Sequence, residues 1–590
     1  MHPQHDDVQN ADVSVNINEE AQIGGSMDDN ANSRPSKNQE SKLAKALAIC
    51  TITGMGIINV MSLLAMPMMN TYLTNVWKLS LTNAAGIVNI WEGSSKILPI
   101  ALAYLSDTLL SIYPVHLMST IVYTIGLGLL AMSTPSVLSK FTGTCSDNQP
   151  KCIGRTQRIM FFTSLALMAV GISGTKFLKT ELQLKKIKIH PKLPDSDNLS
   201  IIVLIIGALG GAIFSGVIKP WSLRFGIPAI FCIAATSFLV ASFIAHSGSR
   251  PEEKNPEGNL LTNMARVLVA SAFKISQKLP DDPAQLYENI DQSNVQSLSH
   301  TRGLRWLDKA AIILPNESQE NKWKLCTVTQ VEETKFVIRT IPMFISFTFC
   351  GLVKSIGNTY FLEQANNMNP KLGNLKLPIL FLPMLYELMK LSLELTRKVY
   401  PSLFSVIVSI FNSVVCCTIA ASVERRRLHE IRRHDLLDKP EERIPMSVLW
   451  LVPQFNFLGI LDSFFEKSVD NLFPDEIPLS RRKYLIHFAH GASGVGTVGG
   501  VLSVYVVGKI SEIGGKNWFQ YTLNRSRLDR YYWTLSALGA LNSIVSFLSF
   551  HLSDTSYVAH WTNVQSAFEE YLTSLSIIFS SFKAYWTSVQ

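Results

Sequence analysis

Ser402-Leu-Phe-Ser-Val-Ile-Val-Ser-Ile-Phe-Asn-Ser-Val-Val-Cys-Cys-Thr-Ile-Ala-Ala-Ser-Val423 runs without one Asp, Glu, Lys, Arg or His and closes on Glu424-Arg-Arg-Arg427. A helix needs about 20 apolar residues to cross a bilayer core, which is the length of this run. In lipid every backbone donor must be paired within its own segment, and the run is too long for a barrel strand, so a spanning helix is the economical reading. Similar runs lie around it at 336–362, 375–396, 446–470, 484–510 and 532–552. Six more, at 46–74, 85–106, 115–134, 157–178, 199–218 and 226–246, precede a polar stretch at 247–335. The pattern predicts an all-α membrane protein with about 12 spans in two halves.

Composition agrees. The 590 residues are 47% hydrophobic and 17% charged with a mean hydropathy of +0.20, whereas a soluble domain averages about 25% charged. A formal charge of +8 could point to nucleic acid, but the Lys and Arg sit between apolar runs and read as loop charge that orients spans. No nucleic-acid partner is expected. Most of the eight Cys lie inside apolar segments (Cys50, Cys232, Cys350, Cys416, Cys417), with no CxxC pair or His spacing for zinc, so no metal or cofactor is expected. Residues 1–45 are polar and read as a disordered cytoplasmic tail. The tail at 554–590 mixes Trp561, Phe568, Tyr571, Phe579, Phe582, Tyr585 and Trp586 with Glu569 and Glu570, which suits an interfacial amphipathic helix better than another span.

With a cytoplasmic N-terminus, Lys179, Lys185, Lys186, Lys188, Lys192, Arg397, Lys398, Arg481, Arg482, Lys483 and the 247–335 linker fall inside, as the positive-inside rule asks. Arg425, Arg426, Arg427, Arg432 and Arg433 fall outside and object to it. On the same alternation Cys145 and Cys152 share an outer loop, where a disulfide and two free thiols are equally open readings. Asn524-Arg-Ser526 is a glycan acceptor sequon on the outer side, whereas Asn316-Glu-Ser318 lies in the linker and is expected to stay unmodified.

Several strings carry a family resemblance. They are Asn70-Thr-Tyr-Leu-Thr-Asn-Val76, Leu307-Asp-Lys-Ala-Ala311, Trp323-Lys-Leu-Cys-Thr-Val-Thr-Gln-Val-Glu-Glu333, Pro445-Met-Ser447 with Trp450 and Pro453-Gln454, and Asn524-Arg-Ser-Arg-Leu-Asp529 with Tyr532-Trp533. The chain resembles the plant nitrate/peptide transporter family, a branch of the proton-dependent oligopeptide transporters of the major facilitator superfamily. The resemblance implies the major facilitator fold, two six-helix bundles around a central cavity that opens alternately to each side, with a linker helix between them.

Ionisable groups inside spans are costly and are therefore functional candidates. Lys176, in Gly171-Ile-Ser-Gly-Thr-Lys176, matches the lysine of the family's Gly-rich motif, which looks like part of the substrate or proton site; snorkelling from the helix end is the bland alternative. Lys354 stands where the family carries an aromatic residue or, in a known nitrate carrier, a nitrate-binding histidine. It suits a small anion, or a structural salt bridge to Glu363 or a neighbouring acid. Asp462 matches a span-ten glutamate linked to substrate binding and gating, and Glu466 lies one turn on. Glu92 and Lys96 are expected to neutralise each other within their helix. Asp107 matches the acid of the superfamily's gating loop, although Ser111 and Ile112 replace that loop's glycine and arginine.

The family's proton-coupling motif, Glu-x-x-Glu followed by Arg or Lys, aligns with Met55, Ile58 and Asn59, so its charges are gone. Proton coupling is then not inherited, and Asp462 and Glu466 are left as candidate carriers. With those acids lost, Lys176 and Lys354 are expected to make the cavity net positive and favour an anion over a zwitterionic peptide. The expected function is secondary transport of a small anionic solute such as nitrate across the plasma or vacuolar membrane, with protons as a possible second cargo. Transport of peptides, hormones or specialised metabolites, and a solute sensor without flux, are the alternatives. The Met residues on span one (Met55, Met61, Met66, Met68, Met69) read as packing. His487 and His490 beside Gly491, Gly494 and Gly496 read as structural, the glycines permitting close helix packing, with a proton relay through the histidines as the alternative. An enzyme is not expected, because no nucleophile, metal or phosphate-loop pattern is present.

Overall fold

Apart from isolated positions, the computed structural model describes residues 53–137, 153–189, 217–246, 259–288, 300–314, 321–395, 402–471, 479–553 and 568–573. Met55, Met66, Cys145, Cys152, Lys192, most of the run at 199–218, Asn316, Arg397, Lys398, the N-terminal tail and most of the tail after 554 lie outside them. The helices are α1 (Gly56–Asn75), α2 (Leu81–Thr108), α3 (Ile112–Met132), α4 (Arg155–Ile189), α5 (Trp221–His246), α6 (Leu260–Phe273), α7 (Val328–Ile356), α8 (Phe381–Leu395), α9 (Ser402–Arg433), α10 (Val452–Asn471), α11 (Leu479–Ile513) and α12 (Leu528–Ser553). Among the described residues, 8 helices are long and apolar enough to cross a membrane.

Local chemistry sets the ends. Ser80 caps α2, its Oγ accepting from the Asn83 N–H at 3.4 Å. Thr327 and Gln330 form a reciprocal capping box that starts α7 at the Thr-Val-Thr-Gln string. α7 loosens into a π turn at Gly357–Phe361 and ends in the helical turn Leu362–Asn367. A hairpin follows, with β2 (Lys371–Leu372) antiparallel to β3 (Leu375–Lys376), turned at Gly373, whose φ of 58° suits a residue without Cβ. Just before it, β1 (Met368–Asn369) pairs in parallel with β4 (Ile444–Ser447), the Pro445-Met-Ser string that precedes α10.

In the first half α3 packs on α4 and α5, and α2 on α4. Tyr72 anchors an aromatic core there, with its ring 5.2 Å from Trp221 and 5.4 Å from Phe225. In the second half α9 packs on α10 and α12, α8 on α10, and α7 on α11 and α12. Phe361 lies 5.7 Å from both Phe455 and Tyr532. The halves meet where α2 crosses α11. There a Cβ on Gly93 would come 2.6 Å from the Gly494 carbonyl oxygen, and one on Gly494 2.7 Å from that of Gly93. Only glycine at both positions permits that backbone approach, which is the packing role expected for Gly494.

α4, α9 and α11 have 35, 32 and 35 residues. At a rise of 1.5 Å they run to about 50 Å, well beyond a hydrocarbon core of about 30 Å. Helices of this length extend past the hydrocarbon core, and the arginines that objected to the topology sit in the last turns of α9. Arg427 is fully buried, paired with both oxygens of Glu424 at 2.7 Å and donating to the Leu523 carbonyl at 3.2 Å and Asn524 Oδ1 at 3.3 Å. Arg426 stacks on Trp450 at 3.7 Å. These two guanidiniums are used inside the fold, so they are not free loop charge. Asn524 is buried as well, donating to the Leu436 carbonyl at 3.0 Å, which corrects its reading as an open glycan acceptor.

A smaller core lies in the linker, where α6 packs on the 3-10 turn Arg305–Ala311 through Val267, Ala270, Leu307 and Ala310. Near the C-terminus, Phe568 and Tyr571 pack on Phe411 and Phe464, and Tyr571 donates to Asn412 Oδ1 at 2.9 Å. Asn412 is mid-helix in α9, so this turn is docked on the flank of the second half.

Candidate functional site

Charged side chains from six helices converge midway between the two ends. Lys354 of α7 is ion-paired with Asp462 Oδ1 of α10. Lys390 of α8 reaches Asp462 Oδ2 at 2.9 Å and Glu466 at 3.9 Å, and the Tyr386 hydroxyl donates to the same Oδ2 at 2.5 Å. His490 of α11 faces Glu466 at 3.6 Å. One carboxylate thus holds two ammonium groups and a phenol. The sequence alternative for Lys354, pairing with a neighbouring acid, is realised with Asp462; Glu363 lies elsewhere.

On the first-half side, Lys96 and Glu92 of α2 pair at 2.7 Å as their i,i+4 spacing predicts. The pair is more than a local neutralisation, however. Glu92 Oε2 accepts from Asn358 at 2.7 Å, and Lys96 donates to Thr497 Oγ1 at 3.2 Å, so both reach into the second half. Asn358 sits in the π turn of α7, a loosened turn of the kind that recurs at functional sites. Lys176 of α4 donates to Ser95 Oγ at 2.7 Å and Ser95 O at 3.4 Å. Among the described residues it has no carboxylate within ion-pair distance.

The lysines of the site do not stand alone. Four lysines (96, 176, 354 and 390) are met by Glu92, Asp462 and Glu466, and Glu387, beside Tyr386, adds a fourth carboxylate within electrostatic reach of Lys390. Lysines and carboxylates are thus close to equal in number. What distinguishes it is uneven pairing, with Asp462 oversubscribed and Lys176 left to neutral acceptors.

Both ends of the bundle are bridged across the halves. At the linker end, Lys483 of α11 pairs with Asp107 of α2 and lies 3.6 Å from Glu181 of α4. The Tyr484 hydroxyl donates to Asp107 Oδ2 at 2.6 Å and accepts at 2.6 Å from Asn259, the cap of α6. At the other end the Asn70-Thr-Tyr-Leu-Thr74 string meets the end of α7. Asn70 donates to Thr359 O and Glu363 Oε2, both at 3.4 Å, and Asn366 donates to Thr71 Oγ1 at 2.8 Å.

Sequence reasoning passes over Lys390, Tyr386 and Asn358. Lys390 carried the same signal as Lys354, a charge inside an apolar run; Asn358 and Tyr386 are neutral and carried none. His490, read as structural, joins the site, while His487 is buried with its ring 5.9 Å from Phe177. The one group of metal-ligand types found among the described residues is His300, Asp308 and Glu332 in the linker. The Lys335 ammonium already bridges Asp308 at 2.6 Å and Glu332 at 2.7 Å, so a cation's place there is taken.

Residues 114–519 match the profile of the POT family, PTR2. Protein NRT1/PTR FAMILY 5.5 of Arabidopsis thaliana is 34% identical over 82% of this chain and 92% of its own length. Protein NRT1/PTR FAMILY 5.4 of the same plant is 30% identical over 80% and 88%. The crystal structure of an auto-inhibited POT family peptide transporter superposes with a TM-score of 0.58 at 13% identity, covering 86% of this chain and 98% of that one, a likeness of fold. With its multi-pass helical body in the major facilitator fold, the chain belongs to the POT family of membrane transporters, in the plant NRT1/PTR branch.

Proposed function

We propose that this transporter carries a small anion, with nitrate the first candidate, by rocking its two halves about the charged cluster. The observation that carries the reading is Lys176, an ammonium inside the bundle hydrogen-bonded to Ser95 alone among the described residues. A small anion beside it would gain charge-assisted hydrogen bonds that no resident carboxylate competes for. Lys354 and Lys390 would join once Asp462 lets go, since both share that carboxylate. Protonation of Asp462 or Glu466 is the natural means of release, which makes them the candidate proton carriers in a chain whose α1 lacks the family's acids. Substrate entry needs one bridged end to open, so Asp107 and its partners serve as the linker-end gate.

A second reading, a zwitterionic peptide, is favoured by the near-equal count of lysines and carboxylates, which could meet both peptide ends. Labelled nitrate flux into liposomes holding the purified protein, with and without a proton gradient, tests the first reading. Gradient-driven accumulation is the expected result, with Lys176→Gln raising the half-saturating concentration about tenfold, the loss of one charge-assisted bond. Saturable peptide uptake without nitrate flux would replace the first reading by the second. A fluorescent fusion would assign the plasma or vacuolar membrane.

A further inference from the structure

At the end remote from the linker, the second half carries a cleft of about 1020 Å³ between the ends of α9 and α11, the loop after α11 and the start of α12. Arg432, Lys516, Arg525, Arg527 and Arg530 line it. Two of these are committed, Arg525 to Asp438 and Arg527 to Asp529 at 3.1 Å. Arg530 packs on Trp518 at 5.6 Å. Among the described residues, neither Arg530 nor Arg432 nor Lys516 has a carboxylate partner. Three such cations in one cleft repel each other unless an anion enters.

The level of the cleft follows from its neighbours. Trp533 on α12 is 50% exposed, and Leu538, Leu541, Ile544 and Val545 continue an exposed apolar row toward the linker end. Tyr505 on α11 is 64% exposed. Outward-facing aromatic residues at the end of a lipid-facing row mark the membrane interface. Arg530 lies one turn beyond Trp533 on the same face, and Lys516 follows the end of α11, so the cations stand at headgroup depth. Val507 and Ile510 line the same cleft, and Ile510 is exposed. A basic pocket therefore opens directly onto apolar wall.

We propose that this cleft binds an anionic phospholipid, its phosphate held by Arg432, Lys516 and Arg530 and its acyl chains lying along Val507 and Ile510. Guanidinium groups match phosphate geometry, and a soluble anion would have no use for the apolar wall.

The test is native mass spectrometry of the full-length protein in neutral detergent, titrated with phosphatidylglycerol and, separately, phosphatidylcholine. The wild type is expected to retain the anionic lipid about tenfold better, and Arg432→Gln/Arg530→Gln to bring the two near parity. Lys516→Gln alone should lower the preference in the same direction. Lys371→Gln/Lys376→Gln removes equal charge from the exposed hairpin at the same end and should leave the preference intact. Unfolding temperatures of all variants in detergent should match, because every substituted side chain is exposed. A cleft variant that keeps the preference, or a hairpin variant that loses it equally, overturns the proposal. So does displacement of the lipid by millimolar inorganic phosphate, which would assign the cleft to a soluble anion.

Discussion

Glu424–Arg427 and Lys354–Asp462–Lys390 are both buried clusters of opposite charge within the second half, and they differ in how fully their groups are satisfied. Arg427 spends its donors on Glu424, Leu523 O and Asn524, while Glu424 also accepts from Gln364 at 2.5 Å. Both partners have fully buried side chains. The central cluster shares one carboxylate between two ammonium groups, connects to Glu466 at 3.9 Å, and leaves its lysine side chains 10% and 20% exposed. A saturated cluster has nothing left to offer a ligand and holds elements together. An unevenly paired one can exchange partners, which is what a binding site needs.

Removing one member from each cluster should separate the roles. Arg427→Met leaves Glu424 charged and buried, at a cost of about 3–5 kcal/mol. Loss of most folded protein from the membrane fraction is expected, measured by size-exclusion of a fluorescent fusion. Glu424→Gln/Arg427→Met should recover much of it, because no lone charge remains; no recovery would mean that the pair does more than satisfy itself. Lys354→Ala should behave oppositely. Asp462 keeps Lys390 and Tyr386, so surface expression stays intact while anion flux falls to background, and unchanged flux would class Lys354 with Arg427 as structural.

The gate gives a smaller effect. Asp107→Asn removes the partner of Lys483, whose neighbour Glu181 at 3.6 Å remains. A change of about threefold in exchange rate is expected, on the scale of a partly screened ion pair; no change would remove Asp107 from the gate. The smallest effect is none at all, since wild-type protein should show no mobility shift on glycosidase treatment. A shift traced to Asn524 would mean that its contacts with Leu436 and Arg427 do not hold the segment closed.

The helices were legible because their signal is local. The chargeless run at 402–423 needs no partner to be read as a span, and Ser80 and Thr327 cap helices with groups three residues away. The strings carrying the family resemblance were visible too, but not their work. Asn70 turns out to meet Glu363, and the Glu-Glu pair at 332–333 to meet Lys335 and Arg481. Lys354 and Lys176 looked equivalent as intramembrane lysines. They part company only through Asp462 and Ser95, residues 108 and 81 positions away.

What the sequence determined alone is that this chain lives in a bilayer as long helices in two halves, because apolar length against membrane thickness is a one-dimensional comparison. It also carried the loss of the α1 acids, a matter of identity at three positions. Only the tertiary structure decided which charges are saturated and which can exchange. Coulomb and hydrogen-bond energies depend on separations of a few ångströms between groups a hundred residues apart, and helix packing sets those separations. The arginines at the end of α9 show the same limit, since as a string they looked alike, and only packing separates Arg427, buried against Glu424, from the exposed Arg432.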